Sequence, residues 1–146
     1  MPTERLSPAT VGDGVQALAE DYRTAISDHG VMIAQQCDEC ATFYFPPLLA
    51  CSRCHSEKLS WVDCGPTGAV GTFVTVHAQT VTSSMAIPKW LTGRTPYSSV
   101  YVVPDAIPSI RVPALMEGPQ QDALAVGSKV TFDLSEPRTP RVNIAQ

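Results

Sequence analysis

Two Cys-x2-Cys pairs carry the strongest chemical signal in the sequence. Cys37-Asp38-Glu39-Cys40 is followed, ten residues later, by Cys51-Ser52-Arg53-Cys54. Such a turn presents two sulfurs to one cation at about 2.3 Å each, and two turns close a tetrahedral site. Zinc suits it, having no redox chemistry and no d-electron preference in geometry. Iron occupies similar four-thiolate sites. Four sulfurs fill the coordination sphere and leave no position open for water or substrate. The expected cofactor is therefore one structural Zn2+, held by Cys37, Cys40, Cys51 and Cys54. It would tie together a segment too short to make its own core. A thioredoxin-like pair would instead open a helix in a βαβ setting. Here Phe43-Tyr44-Phe45-Pro46-Pro47 separates the pairs and reads as a strand ended by prolines, the hairpin of a zinc ribbon.

The other chemistry-bearing residues give weaker signals. Cys64 reads as a small buried residue rather than a fifth ligand or a nucleophile. His55 adjoins Cys54, which makes simultaneous ligation awkward, so it reads as a surface residue. His77, at the end of a strand, is the best lone candidate for chemistry, although a satisfied strand histidine is the plainer reading. Asp38 and Glu39 read as a solvated turn. The sequence holds no Gly-x-Ser-x-Gly, no phosphate loop and no dinucleotide fingerprint. No catalytic residue is expected.

Three elements must position the cysteines. Val15, Leu18, Ala19, Tyr22, Ala25 and Ile26 repeat at helical spacing, and Gly30 is placed to end that helix. The face they form either packs on its own domain or docks a partner. Beyond Cys64 the chain is β-rich. Strands are expected over residues 68–80, 97–103, 109–115, 129–134 and 141–144, with Gly68 and Gly71 supplying bends in a curved first strand. About five short strands in so short a stretch fit a small closed barrel such as an OB-fold. The segment 83–96 between the first two carries Met85, Ile87, Trp90 and Leu91, too apolar for a plain loop. The fold class is mainly β: an N-terminal helical segment (1–30), a rubredoxin-like zinc ribbon (31–65) and a five-stranded OB-fold barrel (66–146).

In this order the motifs resemble the thiolase-associated zinc-ribbon/OB-fold proteins, long catalogued as a domain of unknown function. The resemblance runs from about Tyr22 to the end. It rests on the two cysteine pairs, Phe45-Pro46-Pro47, Ser56, and Trp61 leading into Gly65 and Gly68. The 72–77 strand, Pro96-Tyr97 and Val126-Gly127-x-Lys129-Val130 complete it. The family often has glycine after the second cysteine of each knuckle, where this chain has Ala41 and His55. That departure leaves open a different knuckle conformation or weaker metal retention. The resemblance implies a non-catalytic accessory subunit of a thiolase-like or ketosynthase-like enzyme acting on acyl-CoA thioesters: a thiolase, C-acyltransferase or side-chain retro-aldolase. It would bridge subunits and help line the CoA or substrate passage. Leu18, Tyr22, Met85, Ile87, Trp90 and Leu91 are the expected partner contacts. Lys89, Arg94 and Arg111 are the cations suited to CoA phosphates.

Composition narrows the classes. Of 146 residues, 44% are apolar, enough for a core, and only 16% are charged, below the usual quarter, which suggests a surface covered by a partner. Residues 1–65 carry four basic and nine acidic side chains, and residues 66–146 six and five. Zinc ribbons and OB-folds both serve as single-stranded nucleic-acid modules, the alternative reading. Neither half has the basic field that such binding needs. No apolar run reaches the length of a membrane span, and the first ten residues lack a signal-peptide pattern, so a cytoplasmic protein is expected.

Overall fold

The computed structural model describes residues 5–9, 14–77, 95–136 and 140–145, with side chains outside 5–9, 14, 15 and 17. Met85, Ile87, Lys89, Trp90, Leu91 and Arg94 lie outside the described residues. The chain order is β1 (Arg5–Ala9), α1 (Gly14–His29), β2 (Ile33–Cys37), β3 (Phe43–Tyr44), β4 (Leu59–Asp63), β5 (Thr67–Val76), β6 (Tyr97–Pro104), β7 (Val112–Glu117), β8 (Lys129–Asp133) and β9 (Arg141–Ile144). β1 to β4 form an antiparallel sheet in the order β1-β4-β2-β3. β5 to β9 close a barrel in the order β5-β6-β7-β9-β8, with β7 and β9 parallel and the other pairs antiparallel. Closure removes the exposed edges that a five-stranded open sheet would present.

The helix follows its apolar period and stops at Gly30, whose φ of 62° suits glycine. The Gly30 amide bonds Ile26 O and the Val31 amide bonds Ala25 O, satisfying two carbonyls at the helix end. The apolar face packs inward. Leu18 is 3% exposed, inside the core shared with Ile33, Leu59 and Trp61, and Ile26 is buried beside Met32 and Val62. Ala19, expected on that face, is exposed. The Trp61 indole N–H donates to Asp21 Oδ2 at 3.0 Å, which fixes the helix to the sheet. β1, unanticipated from sequence, pairs with β4, so the segment before the helix joins the ribbon's own sheet.

Strand alternation explains how this sheet is buried on both sides. The odd-numbered positions of β2 and β4 (Ile33, Cys37, Leu59 and Trp61) enter the cluster with Leu18 and Ala25. The even-numbered ones (Ala34 and Val62) enter a cluster with Ile107, Ile110 and Val112 of the barrel half. A third cluster fills the barrel with Val70, Val100, Val102, Ala114, Met116, Val130 and Val142. Within β5 the register shifts between Val70 and Thr72, a bulge at Gly71 that curves the strand. Gly68 is needed for close approach: a Cβ there would lie 2.6 Å from Val103 O.

Candidate metal centre

The first cysteine ends β2 and the second lies in the turn beyond it. The other pair lies on the turn before β4. Each knuckle closes by the same hydrogen bond: Ala41 N–H to Cys37 O at 3.0 Å and His55 N–H to Cys51 O at 2.9 Å. The Cys37 amide meets Thr42 O and the Cys51 amide meets Ser56 O, which locks both turns. Ala41 and His55 have φ of 62° and 63°, the left-handed region that glycine favours. Without glycine, both knuckles keep the conformation that glycine would adopt.

All four sulfurs lie within 4.8 Å of one another. Cys37 Sγ is 3.5 Å from Cys54 Sγ, and Cys40 Sγ is 3.5 Å from Cys51 Sγ. A tetrahedron with arms of 2.3 Å has edges of about 3.8 Å, so the cage fits one zinc-sized ion. The electrostatics fit as well. Desolvation opposes charge on Cys51, yet the Tyr44 hydroxyl, the Cys54 and Arg53 amides and Cys40 bring it down to about 5. For Cys54 the Ser56 amide favours the thiolate, but desolvation and the three neighbouring sulfurs push the thiol up to about 12. Cys40 is lowered, chiefly by the Thr42 hydroxyl and then by its amide. Crowded sulfurs resist ionising together, and a dication among them removes that conflict. Cys37, Cys40, Cys51 and Cys54 can hold one structural zinc.

The remaining candidates scatter. Cys64 is fully buried between the sheet and the barrel, with its thiol pushed up to about 12 by burial and by the Asp63 charge. His55 is exposed on the second knuckle and His77 is exposed just beyond β5. Asp38 and Glu39 are exposed, with Asp38 Oδ1 accepting from Ser60 Oγ at 2.8 Å. Arg111 is exposed and gives Nη1 to the carbonyls of Pro108 and Ile110. Leu18 and Tyr22 come together with Ala19, Phe45, Pro46, Pro47 and Leu49 around an apolar groove of about 290 Å³. Sequence reasoning missed its far wall. Buried Gln35 holds it, exchanging two hydrogen bonds with the Leu48 backbone at 2.7 and 3.1 Å.

Residues 28–60 match the family described as ChsH2, rubredoxin-like zinc ribbon domain. The solved structure described as Ltp2-ChsH2(DUF35) aldolase superposes with a TM-score of 0.68 at 21% identity, over 87% of this chain and 94% of that one. The fold, a cysteine ribbon joined to a closed barrel, is similar to the fold of that structure. A DUF35-family protein of unknown function from Sulfolobus solfataricus is similar with a TM-score of 0.61 at 16% identity, over 94% of this chain and 92% of that one. No curated protein sequence matches the chain. Among the described residues no helix is long and apolar enough to cross a membrane.

Proposed function

We propose that this chain is a non-catalytic accessory subunit of a thiolase-like enzyme acting on acyl-CoA thioesters. One observation carries the reading: the likeness to the DUF35 component named with an aldolase runs through ribbon and barrel together, over 87% of the chain. The ribbon alone would support only a zinc site. The chemistry agrees, because four thiolates saturate a zinc ion and leave it no position for substrate.

The groove between α1 and the 45–49 wall is the proposed partner contact. Leu18, Tyr22 and Leu49 line it, and of these Leu18 is buried while Leu49 is 42% exposed. Met85, Ile87, Trp90 and Leu91 are the second proposed contact. Lys89, Arg94 and Arg111 are the cations offered to CoA phosphates. A nucleic-acid reading draws less support, because two cations of the barrel are ion-paired: Lys129 with Asp105, and Arg141 with Glu117 and Glu136.

Co-expression with a thiolase-like protein encoded beside it in the native genome tests the proposal. The expected result is a complex that turns over an acyl-CoA thioester while this chain alone does not. Leu49→Asp is the informative variant, since this exposed side chain can change without opening the core. It should abolish co-purification and leave the melting temperature unchanged. Leu18→Ala confuses the question, because a buried Leu→Ala change destabilises by about 2–5 kcal/mol on its own. Failure to co-purify with any thiolase-like chain removes the accessory reading. A complex insensitive to Leu49→Asp removes only the groove.

A further inference from the structure

Two of the four sulfurs have a side-chain hydroxyl against them. Thr42 Oγ1 lies 3.2 Å from Cys40 Sγ, and the Tyr44 hydroxyl lies 3.0 Å from Cys51 Sγ. Strand alternation places both: residues 42 and 44 turn to the sulfurs, whereas Phe43 and Phe45 turn to the cluster shared with the barrel. Tyr44 has a partner of its own. Ser52 Oγ, on the second knuckle, donates to the Tyr44 oxygen at 3.2 Å. With Ser52 donating to it, the phenol keeps its own proton free to point at Cys51. The Cys54 amide approaches the same sulfur at 3.5 Å. Cys51 is 1% exposed, so bulk water does not compete for it.

We propose that Tyr44, oriented by Ser52, is a positioning residue of the metal site: its phenol donates to the Cys51 thiolate and draws off part of the site's surplus negative charge. A four-thiolate cage around a dication is electron-rich, and donors behind the ligands offset that excess. Hydroxyls in a chain polarise one another, so Ser52 acts through Tyr44 rather than on the sulfur. Groups that orient metal ligands in this way change metal affinity about 10- to 100-fold when removed. The arrangement breaks and forms no covalent bond. It concerns the ribbon alone and stands whether or not the chain serves an acyl-CoA enzyme.

The test uses the full-length zinc-loaded protein. Tyr44→Phe keeps the ring that packs in the ribbon core and removes only the hydroxyl. In competition with a chromophoric chelator its zinc affinity should fall about 10-fold. In the cobalt-loaded form the thiolate-to-metal charge-transfer band should shift, a signature that altered packing alone does not produce. Ser52→Ala should give a smaller loss of affinity in the native background and none when combined with Tyr44→Phe. Should Tyr44→Phe fail to fold, the loss with Ser52→Ala, an exposed position, still decides the matter. Unchanged zinc affinity and an unchanged cobalt spectrum in Tyr44→Phe overturn the proposal. An equal Ser52→Ala effect with and without Tyr44→Phe also overturns it.

Discussion

Ala41 and His55 each hold a left-handed backbone immediately after a metal-ligand cysteine, at φ of 62° and 63°. An L-residue loses roughly 1–2 kcal/mol there, and glycine does not. Both side chains are exposed, so their removal breaks no packing. Ala41→Gly and His55→Gly should therefore each raise stability by about 1 kcal/mol, less the extra entropy that glycine gives the unfolded chain. Thermal melts of the zinc-loaded variants check the sign, and a fall in melting temperature would show that the side chains contribute more than the strain. Cys64 offers a second test. Its thiol is raised from an ordinary 9.0 to about 12, first by burial and then by the Asp63 charge. Between those values the unfolded chain releases the proton and the folded one keeps it. The associated stability is complete below pH 9.0 and is lost as pH rises toward about 12. Tyr22, raised to about 12 mainly by burial, adds to the same alkaline slope. Denaturant midpoints measured against pH should therefore fall less steeply in Cys64→Ala, and an identical slope in both proteins would discount Cys64.

At the scale of elements, the helix is held by one directional contact as well as by apolar packing. Trp61 is 2% exposed, and its indole N–H has Asp21 Oδ2 as acceptor. Asp21→Ala leaves that donor buried and unpaired, at about 1–3 kcal/mol. Equilibrium unfolding followed by tryptophan fluorescence should register the loss, and Asp21→Asn, which retains an acceptor, should recover much of it. The helix itself was legible, because an apolar repeat and a glycine stop are local signals. What covered it was not, since periodicity reports a face without naming its neighbour. Hence Leu18 turned out to be core, while Ala19 and Leu49 lie at the surface. β1 left no trace because Pro8 and Ser7 break any strand pattern, and its state comes from pairing with β4. The cysteine cage was readable from spacing alone. The hydroxyls of Thr42 and Tyr44 had a sequence signal too, an i, i+2 pair beside the first knuckle, but only the fold brings Ser52 to them.

The whole molecule divides along the even-numbered face of β2 and β4. On one side the metal cage shares its core with Leu18 and Trp61, and on the other Val62 and Cys64 pack with Ile107 and Val112. Structural zinc sites contribute about 10–16 kcal/mol of apparent binding free energy, as much as the whole stability of an ordinary domain. The ribbon half should therefore depend on its ion. The barrel has its own interior, with Val70, Val100, Val102, Met116 and Val130 sealed inside a closed sheet, and no cysteine in that cluster. Chelating the metal under reducing conditions should thus unfold the molecule in part. In hydrogen exchange read by mass spectrometry, residues 33–44 and 51–58 should lose protection. Residues 98–103 and 112–116 should keep it. β4 should fall between them, because Leu59 belongs to the metal cluster while Val62 is anchored with the barrel. If β6 and β7 instead opened together with the knuckles, the shared cluster would bind ribbon and barrel into one cooperative unit, and zinc would be holding the entire chain.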